Sequence, residues 1–386
     1  MPRRPAIYLR HSADGGNLWQ PEQLVRSLDG RAEHPAIALT GSGLPLVAWQ
    51  EIGAGNPFDV MAQVVGQDRT PVNLSRAGKT ITAASAFDTR SARYPASVWP
   101  AVAVSPAGLM AVSWQDDRTD PDPLWTGALS TGNGTNPDNW QIQTVTRAAN
   151  AKDWSSPVAV GADDRADRHP AVTFAQDNTL ILAWDSKPLS AAGVNLSIAS
   201  ALSRDGGKTF SKPLTVAASS VGMGQYPRLG RTAEGAAHLV WYDNRSADWR
   251  WRVMAVTLGA DGQWGEASTL MSRGINAWPA YDNGVLAFTS TRNAQRLQRD
   301  RTQQIMLLPA QITTPSIPTT PTTPTTPVTP VTPTTPVTPA NPSAVVGDKT
   351  DSAQGRFGGG AFGALWLLVG AILRRRSLAV RVSLKD

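Results

Sequence analysis

The chain has 386 residues, no cysteine and a formal net charge of +6, with 33 glycines, 30 prolines and 14 tryptophans. The lack of cysteine excludes disulfides, thiolate metal sites and cysteine nucleophiles. Seven basic and three acidic residues follow position 343, so this tail carries four of the six net positive charges. The rest of the chain is close to neutral, and we therefore expect no nucleic-acid partner.

The globular part, residues 1–311, opens with the short apolar run AIYLR and the turn-rich stretch SADGGNLW. Five units follow, each with three alternating apolar runs. The first run of each unit carries an aromatic residue or histidine directly before proline, and the second ends at an aromatic residue. The prolines are 65, 70, 57 and 52 residues apart and comprise Pro35, Pro100, Pro170, Pro227 and Pro279.

Short alternating runs separated by Gly, Asn, Asp and Pro predict strands. Units of about 50–70 residues with three or four strands predict propeller blades. We therefore predict an all-β fold, a β-propeller of about six blades. Its first blade is incomplete, because the N-terminal stretch supplies only two strands. A five-blade ring, in which these strands complete the last blade, is the alternative. The start also lacks the apolar core of an export signal, so we expect the true N-terminus to be missing.

Two connections share a turn motif. SRDGGKTF (203–210) follows the pattern Ser-x-Asp-x-Gly-x-Thr-aromatic throughout, and SADGGNLW (12–19) keeps four of its positions. The motif resembles the Asp box, the bacterial neuraminidase repeat of sialidase-like propellers, with a chance Asp-Gly hairpin as the alternative. In that family the box is structural and lies away from the active face. The resemblance implies structural roles for Ser12, Asp14, Gly16, Trp19, Ser203, Asp205, Gly207 and Phe210.

Propeller geometry predicts that two sets of residues share the face opposite the Asp boxes. Successive strands alternate direction, so the loop entering strand one and the loop joining strands two and three lie at the same end. The first set opens strand one and comprises His34, Trp99, His169, Tyr226 and Trp278. The second set closes strand two and comprises Glu51, Asp116, Asp185 and Asp243, with Arg118, Arg245 and Arg292.

Both sets contain candidate ligand contacts. Aromatic rings stack on sugar faces, and three arginines from three blades suit an anionic ligand because guanidinium binds carboxylate in a bidentate fork. Two structural alternatives stay open: each arginine pairs with the acid two residues before it or with a neighbouring blade, and the rings line the channel. The predicted binding residues are Arg118, Arg245, Arg292, Asp243, His34, Trp99, His169 and Trp278.

The resemblance to sialidases adds little chemistry, since the Arg-Ile-Pro motif of that family is absent. The family uses a Tyr nucleophile with a Glu, and an Asp acid/base, which implies Tyr226, Glu51 and Asp116 as the counterparts here, with Glu33 as the other glutamate near the same face. The acidic runs 116–123 and 161–169 offer oxygen ligands of the kind that calcium prefers. Neither run has a defined loop spacing, so we expect no cofactor, with calcium as the alternative.

Residues 312–343 form a Thr/Pro-rich linker with proline at every third position from Pro315 to Pro342. This period matches one turn of polyproline II, which predicts a semi-rigid stalk. Residues 344–386 hold an apolar run at 357–373, followed by Arg374–Arg376. A membrane span needs about 20 residues, with a lower limit near 17, so the run predicts a short transmembrane helix. The arginines predict a cytoplasmic C-terminus and anchoring in the inner membrane.

Gly358–Gly360, the apolar run and the arginine cluster together resemble the GlyGly-CTERM sorting signal of Gram-negative surface proteins. The resemblance implies processing by a rhomboid-type protease and delivery to the cell surface or secretion. The ten residues after the arginines depart from the family pattern. We expect a surface propeller that binds glycan or protein ligands through the face that carries the aromatic residues. The alternative is a sialidase-like exo-glycoside hydrolase acting on sialylated glycans, which the lack of a complete catalytic set disfavours.

Overall fold

The structure is a computed structural model that describes residues 6–27, 30–52, 58–77, 96–118, 140–162, 164–188, 195–218, 222–245, 251–271, 275–291, 304–309 and 379–385. The chain divides into two units, Met1–Ile312 with Ala364–Asp386, and Thr313–Gly363. The predicted linker and the apolar run 357–373 lie outside the described residues. Within the described ranges, no helix is long and apolar enough to span a membrane.

The described residues form strands and turns, and they build five propeller blades. Each blade is one antiparallel sheet whose strands follow one another in chain order. β1 (Ala6–Ser12) and β2 (Gln23–Arg26) precede the first blade. The first blade contains β3 (Arg31–Leu39), β4 (Pro45–Ile52), β5 (Asp59–Val64) and β6 (Val72–Asn73); the second contains β7 (Ser97–Val104), β8 (Met110–Asp116), β9 (Gln141–Arg147) and β10 (Val158–Val160).

The third and fourth blades also have four strands, and the fifth has three. The third contains β11 (Arg165–Phe174), β12 (Leu180–Pro188), β13 (Ser197–Ser203) and β14 (Leu214–Ala217). The fourth contains β15 (Gly224–Arg231), β16 (Ala237–Asp243), β17 (Arg252–Thr257) and β18 (Ser268–Met271), and the fifth contains β19 (Asn276–Asp282), β20 (Val285–Ser290) and β21 (Gln304–Pro309).

The N-terminal strands β1 and β2 form a separate sheet with β22 (Ala379–Lys385), in the order β2-β1-β22. β22 runs antiparallel to β1 over its full length, from Ala6 opposite Lys385 to Ser12 opposite Ala379. It also lies beside β3, as the second strand of each of the first four blades lies beside the first strand of the next blade. The predicted count of about six blades is therefore corrected to five, with one additional three-stranded sheet. Among the described strands, β1 pairs with the end of the chain and with β2, and neither pairs with the fifth blade.

The second strand of each blade is largely buried because neighbouring sheets pack against it. Its aromatic residue packs into the clusters between blades, and the five residues are Trp49, Trp114, Trp184, Trp241 and Phe288. Trp184, for example, packs with Phe174 of its own blade and with Ile142 of the second blade. The repeated aromatic residue is thus the packing residue of the blade, as the sequence predicts.

The turn motifs at 12–19 and 203–210 fold alike. Ser203 Oγ donates to Asp205 Oδ1 at 2.8 Å and accepts from Gly207 N at 2.8 Å. Ser12 makes the same two contacts, with Asp14 Oδ1 at 2.5 Å and Gly16 N at 2.9 Å. Hydrogen bonds, from the Thr209 hydroxyl above all, hold the pKa of Asp205 below its ordinary value. Because Ser203 lies opposite Leu180, where strand two begins, this turn lies at the far end of the blade from Asp185 and His169.

Candidate binding site at one end of the propeller

The aromatic-proline pair forms a β-bulge in the first strand of every blade. The strand registers shift around each pair. Each aromatic residue has a positive φ, which is costly for a bulky residue and persists only where its surroundings hold it. The values are 51° for His34, 58° for Trp99, 50° for His169, 48° for Tyr226 and 54° for Trp278. The prediction that these residues open strand one is wrong in detail, because the bulge absorbs the pair and the strand begins before it.

The five bulge residues converge from five blades into one cluster of rings, which we call the axial cluster: His34, Trp99, His169, Tyr226 and Trp278. Ring centroids are 4.3 Å apart for His34 and Trp99, and 5.1 Å for Trp99 and His169. His169 stacks on Tyr226 at 3.9 Å, and Tyr226 lies 4.4 Å from Trp278. All five residues are partly exposed, so the cluster presents aromatic surface at the end of the propeller where the first strands begin.

Two further rings, which the sequence analysis missed, extend the cluster along the fourth blade. Tyr242 stacks parallel to Tyr226 at 5.5 Å, and Trp251 meets Tyr242 edge-on at 4.9 Å. Tyr242 directly follows the buried Trp241, so it points to the opposite face of strand β16. The sequence signal for this extension is WYD at a position where the first two blades have WQE and WQD.

Hydrogen bonds from one blade to the next support the strained bulges. The residue after the strand-two tryptophan accepts the backbone N–H of the next blade's bulge residue. Gln50 Oε1 accepts from Trp99 N at 2.9 Å, and Gln115 Oε1 accepts from His169 N at 2.9 Å. In the third blade Asp185 Oδ2 accepts from Tyr226 N at 3.1 Å and also contacts His169 Nδ1 at 2.8 Å. The carboxylate of Asp185 therefore orients both His169 and Tyr226.

Asp116 is a buried structural acceptor. It has no exposed surface, and it accepts from Trp114 Nε1 at 2.9 Å and from Ser97 Oγ at 2.5 Å. Arg118 binds it through Nε at 2.7 Å and Nη2 at 2.9 Å, and also donates to the carbonyls of Ala77 and Ser75 in the first blade. Asp116 and Arg118 thus join two blades, as the structural alternative holds.

The same arrangement, an aspartate that binds a tryptophan indole and an arginine, recurs in the fourth blade. Asp243 accepts from Trp241 Nε1 at 2.9 Å and from Arg245 Nε at 2.6 Å. Arg245 also donates to the carbonyl of Ala218 in the third blade. Arg292, the third predicted arginine, lies outside the described residues. Arg118 and Arg245 are therefore held by contacts within the chain rather than directed at a ligand.

Glu51 is held in the same way by an arginine from another sheet. Its carboxylate accepts from Arg26 Nε and Nη2, both at 2.8 Å, and from Trp49 Nε1 at 2.9 Å. Glu51, Asp116 and Tyr226 belong to the first, second and fourth blades. The structure thus gives Glu51 and Asp116 structural partners and leaves Tyr226 alone of the three in the axial cluster.

The hydroxyl of Tyr226 is a hydrogen-bond donor at neutral pH. Burial, with a smaller effect from Asp185, raises the pKa of Tyr226 to about 12, and the charges of Arg228 and Arg168 act in the opposite direction. Among the described residues, no group of three or more His, Asp or Glu side chains is placed to hold a metal ion. Residues 119–123 of the first acidic run lie outside those residues.

No family model and no curated protein matches the chain. Its fold is similar to that of a protein of unknown function from Dyadobacter fermentans, with 13% identity, 74% of this chain and 80% of that chain covered, and a TM-score of 0.48. It is also similar to a variant of the NanB sialidase from Streptococcus pneumoniae, with 9% identity, 74% and 60% covered and a TM-score of 0.44. For the α-L-arabinanase from Penicillium chrysogenum the identity is 11%, the coverage 72% and 78%, and the TM-score 0.43.

Proposed function

We propose that the protein is a carbohydrate-binding propeller whose ligand stacks on the axial cluster. The observation that carries the proposal is the convergence of aromatic residues from five blades, each held in a strained bulge. Such strain is retained where surrounding structure and function require it. Exposed aromatic surface with a few fixed polar groups is the usual composition of a ligand site. The Tyr226 hydroxyl and the Asp185-bound His169 supply those polar groups.

The proposal favours binding over glycoside hydrolysis. A sialidase-like reaction needs a Tyr nucleophile with a nearby glutamate and a separate acid/base. Glu51 and Asp116 each hold a tryptophan indole and an arginine, and neither belongs to the axial cluster. A location at the cell surface is part of the proposal and is consistent with a glycan ligand. A membrane helix with a cytoplasmic C-terminus is not part of it, because β22 at the end of the chain pairs with β1.

A glycan array with the full chain tests the proposal, followed by titration of the best ligand against Trp278→Ala and Tyr226→Ala. We expect each variant to weaken binding by about tenfold or more, as for aromatic residues at the centre of an interface. Trp19→Ala is the control, because Trp19 belongs to the turn motif at 12–19 and should leave the affinity unchanged. Equal affinities in all variants would refute the site. Turnover of a fluorogenic sialoside that Tyr226→Phe abolishes would refute the binding-only function.

A further inference from the structure

The residue directly before strand three occupies a repeated position that joins neighbouring blades. Its backbone carbonyl accepts an N–H from the first strand of the next blade. In the fourth blade Trp251 O accepts from Asn276 N at 3.1 Å, and in the third blade Leu196 O accepts from Gly224 N at 2.9 Å. The position is held by Phe58 in the first blade and by Trp140 in the second. Because a leucine makes the same backbone contact, this structural role needs no aromatic ring.

Trp251 lies at the same end of the fourth blade as the axial cluster. The pairing of β16 with β17 starts at this end, with Asp243 opposite Arg252, and Trp251 directly precedes Arg252. Asp243 also lies opposite Gly224, the first residue of strand one. The strands of this blade are ordered β15-β16-β17-β18, and the axial cluster lies on the first strands. Trp251 is therefore placed outward from the axial cluster on the same end of the propeller.

The ring of Trp251 is connected to the axial cluster through Tyr242. Trp251 precedes Val253 by two residues, and Val253 lies opposite Tyr242, so the two aromatic side chains face the same side of the sheet. Their rings meet edge-on at 4.9 Å, and the Tyr242 ring lies 5.8 Å from that of Trp278. Trp251 and Trp278 are partly exposed, whereas Tyr242 is only 6% exposed. The two tryptophans therefore present aromatic surface to solvent, and a buried tyrosine ring links them.

The second blade carries a tryptophan at the same position without this connection. Gln115 stands there in place of Tyr242. In the part of the chain that the structure describes, no ring contact joins Trp140 to the axial cluster, and none joins Trp251 directly to Trp278. The second blade thus lacks the outward path of rings that the fourth blade has, and Trp251 is a separate aromatic surface from Trp278.

We propose that Trp251 is a second stacking position for the ligand, and that the ligand is a linear oligosaccharide that extends outward from the axial cluster over the fourth blade. The inference rests on the proposed function and adds the length and direction of the ligand to it. An exposed tryptophan gains free energy when a ligand covers its apolar surface. The face of a sugar ring packs on one aromatic ring, so two separate tryptophan surfaces fit two sugar units of one chain.

The test measures the affinity of the full chain for linear oligosaccharides of increasing length, in homologous series built from glucose, xylose, N-acetylglucosamine or galacturonic acid. We expect the affinity for at least one series to rise with chain length. Trp251→Leu introduces the residue of the third blade and keeps an apolar side chain. It should weaken the binding of longer chains about fivefold and leave the binding of the shortest chain that binds unchanged. Trp251→Phe keeps a ring and should retain most of the affinity for longer chains.

Trp140→Leu is the matched control, because it makes the same substitution at the same position of the second blade and should leave every affinity unchanged. The inference is overturned if Trp251→Leu binds every chain length like the natural protein, or weakens short and long chains equally. It is also overturned if the affinity of the natural protein does not rise with chain length, or if none of the series binds. Loss of affinity in Trp278→Ala alone would sustain the proposed function while rejecting the second position. Unchanged affinity in Trp278→Ala would instead reject the proposed function.

Discussion

Replacing Asp116 by alanine separates a structural acid from a catalytic one. In the structure, Asp116 accepts hydrogen bonds from Trp114 Nε1 and Ser97 Oγ and forms a salt bridge with Arg118, whose side chain is only 12% exposed. Removing one partner of a buried ion pair costs about 3–5 kcal/mol, because the remaining charge is left uncompensated. Arg118 keeps its bonds to the carbonyls of Ser75 and Ala77. We therefore expect a loss near the lower end, about 3 kcal/mol.

The assay is urea unfolding followed by tryptophan fluorescence, to which the buried Trp114 contributes. Asp261→Ala is the control, because Asp261 lies in an exposed hairpin turn and should lose no more than about 1 kcal/mol. A decrease of less than about 1 kcal/mol in the free energy of unfolding of Asp116→Ala would refute the structural role of Asp116. If that variant were also inactive toward a substrate of the natural protein, Asp116 would return as a candidate catalytic acid.

Three further predictions concern the turns, a buried acid and the end of the chain. Gly207→Ala should destabilise the protein by about 1–3 kcal/mol, because Gly207 has a φ of 87° and an added Cβ would lie 2.7 Å from Thr146 Cγ2; Gly284→Ala, with similar φ and open space, should cost less in the same urea titration. Burial raises the pKa of Asp167 to about 6, so the folded protein binds the Asp167 proton more tightly than the unfolded chain does. The free energy of unfolding should therefore fall by roughly 3 kcal/mol in total as the pH rises from about 4 to 6. Asp167→Asn should remove this pH dependence, and an unchanged dependence would refute the raised pKa of Asp167. Deleting residues 377–386 removes β22, so the amide protons of β1 that face it should exchange faster by hydrogen–deuterium exchange, and unchanged protection would contradict the pairing.

The sequence does not distinguish catalytic or binding residues from structural ones at the repeated charged positions. Glu51, Asp116, Asp243, Arg118 and Arg245 occupy repeated positions with the residue types of an active site. The same residue types serve equally well in hydrogen bonds and salt bridges that join neighbouring blades. Which of these roles applies depends on the partner of each side chain, and that partner lies far away in the sequence. Arg26 is 25 residues from Glu51, and Ser75 is 43 residues from Arg118.

The aromatic residues before proline were the more reliable signal. Their spacing predicts that they lie together at one end, and the ring contacts from His34 to Trp278 bring them together. The bulge was not predicted. The sequence shows the proline, but it does not show that strand one carries an extra residue at that point.

Local patterns alone determined the all-β class, the five repeated units and the buried strand-two aromatic residue, because alternation and turn residues act over a few neighbouring positions. Tertiary structure decided the blade count, the partner of β1 and the roles of the charged residues. These depend on pairings between segments as distant as Ala6 and Lys385. Such pairings bring together segments that are far apart in the sequence, and no local pattern carries that information.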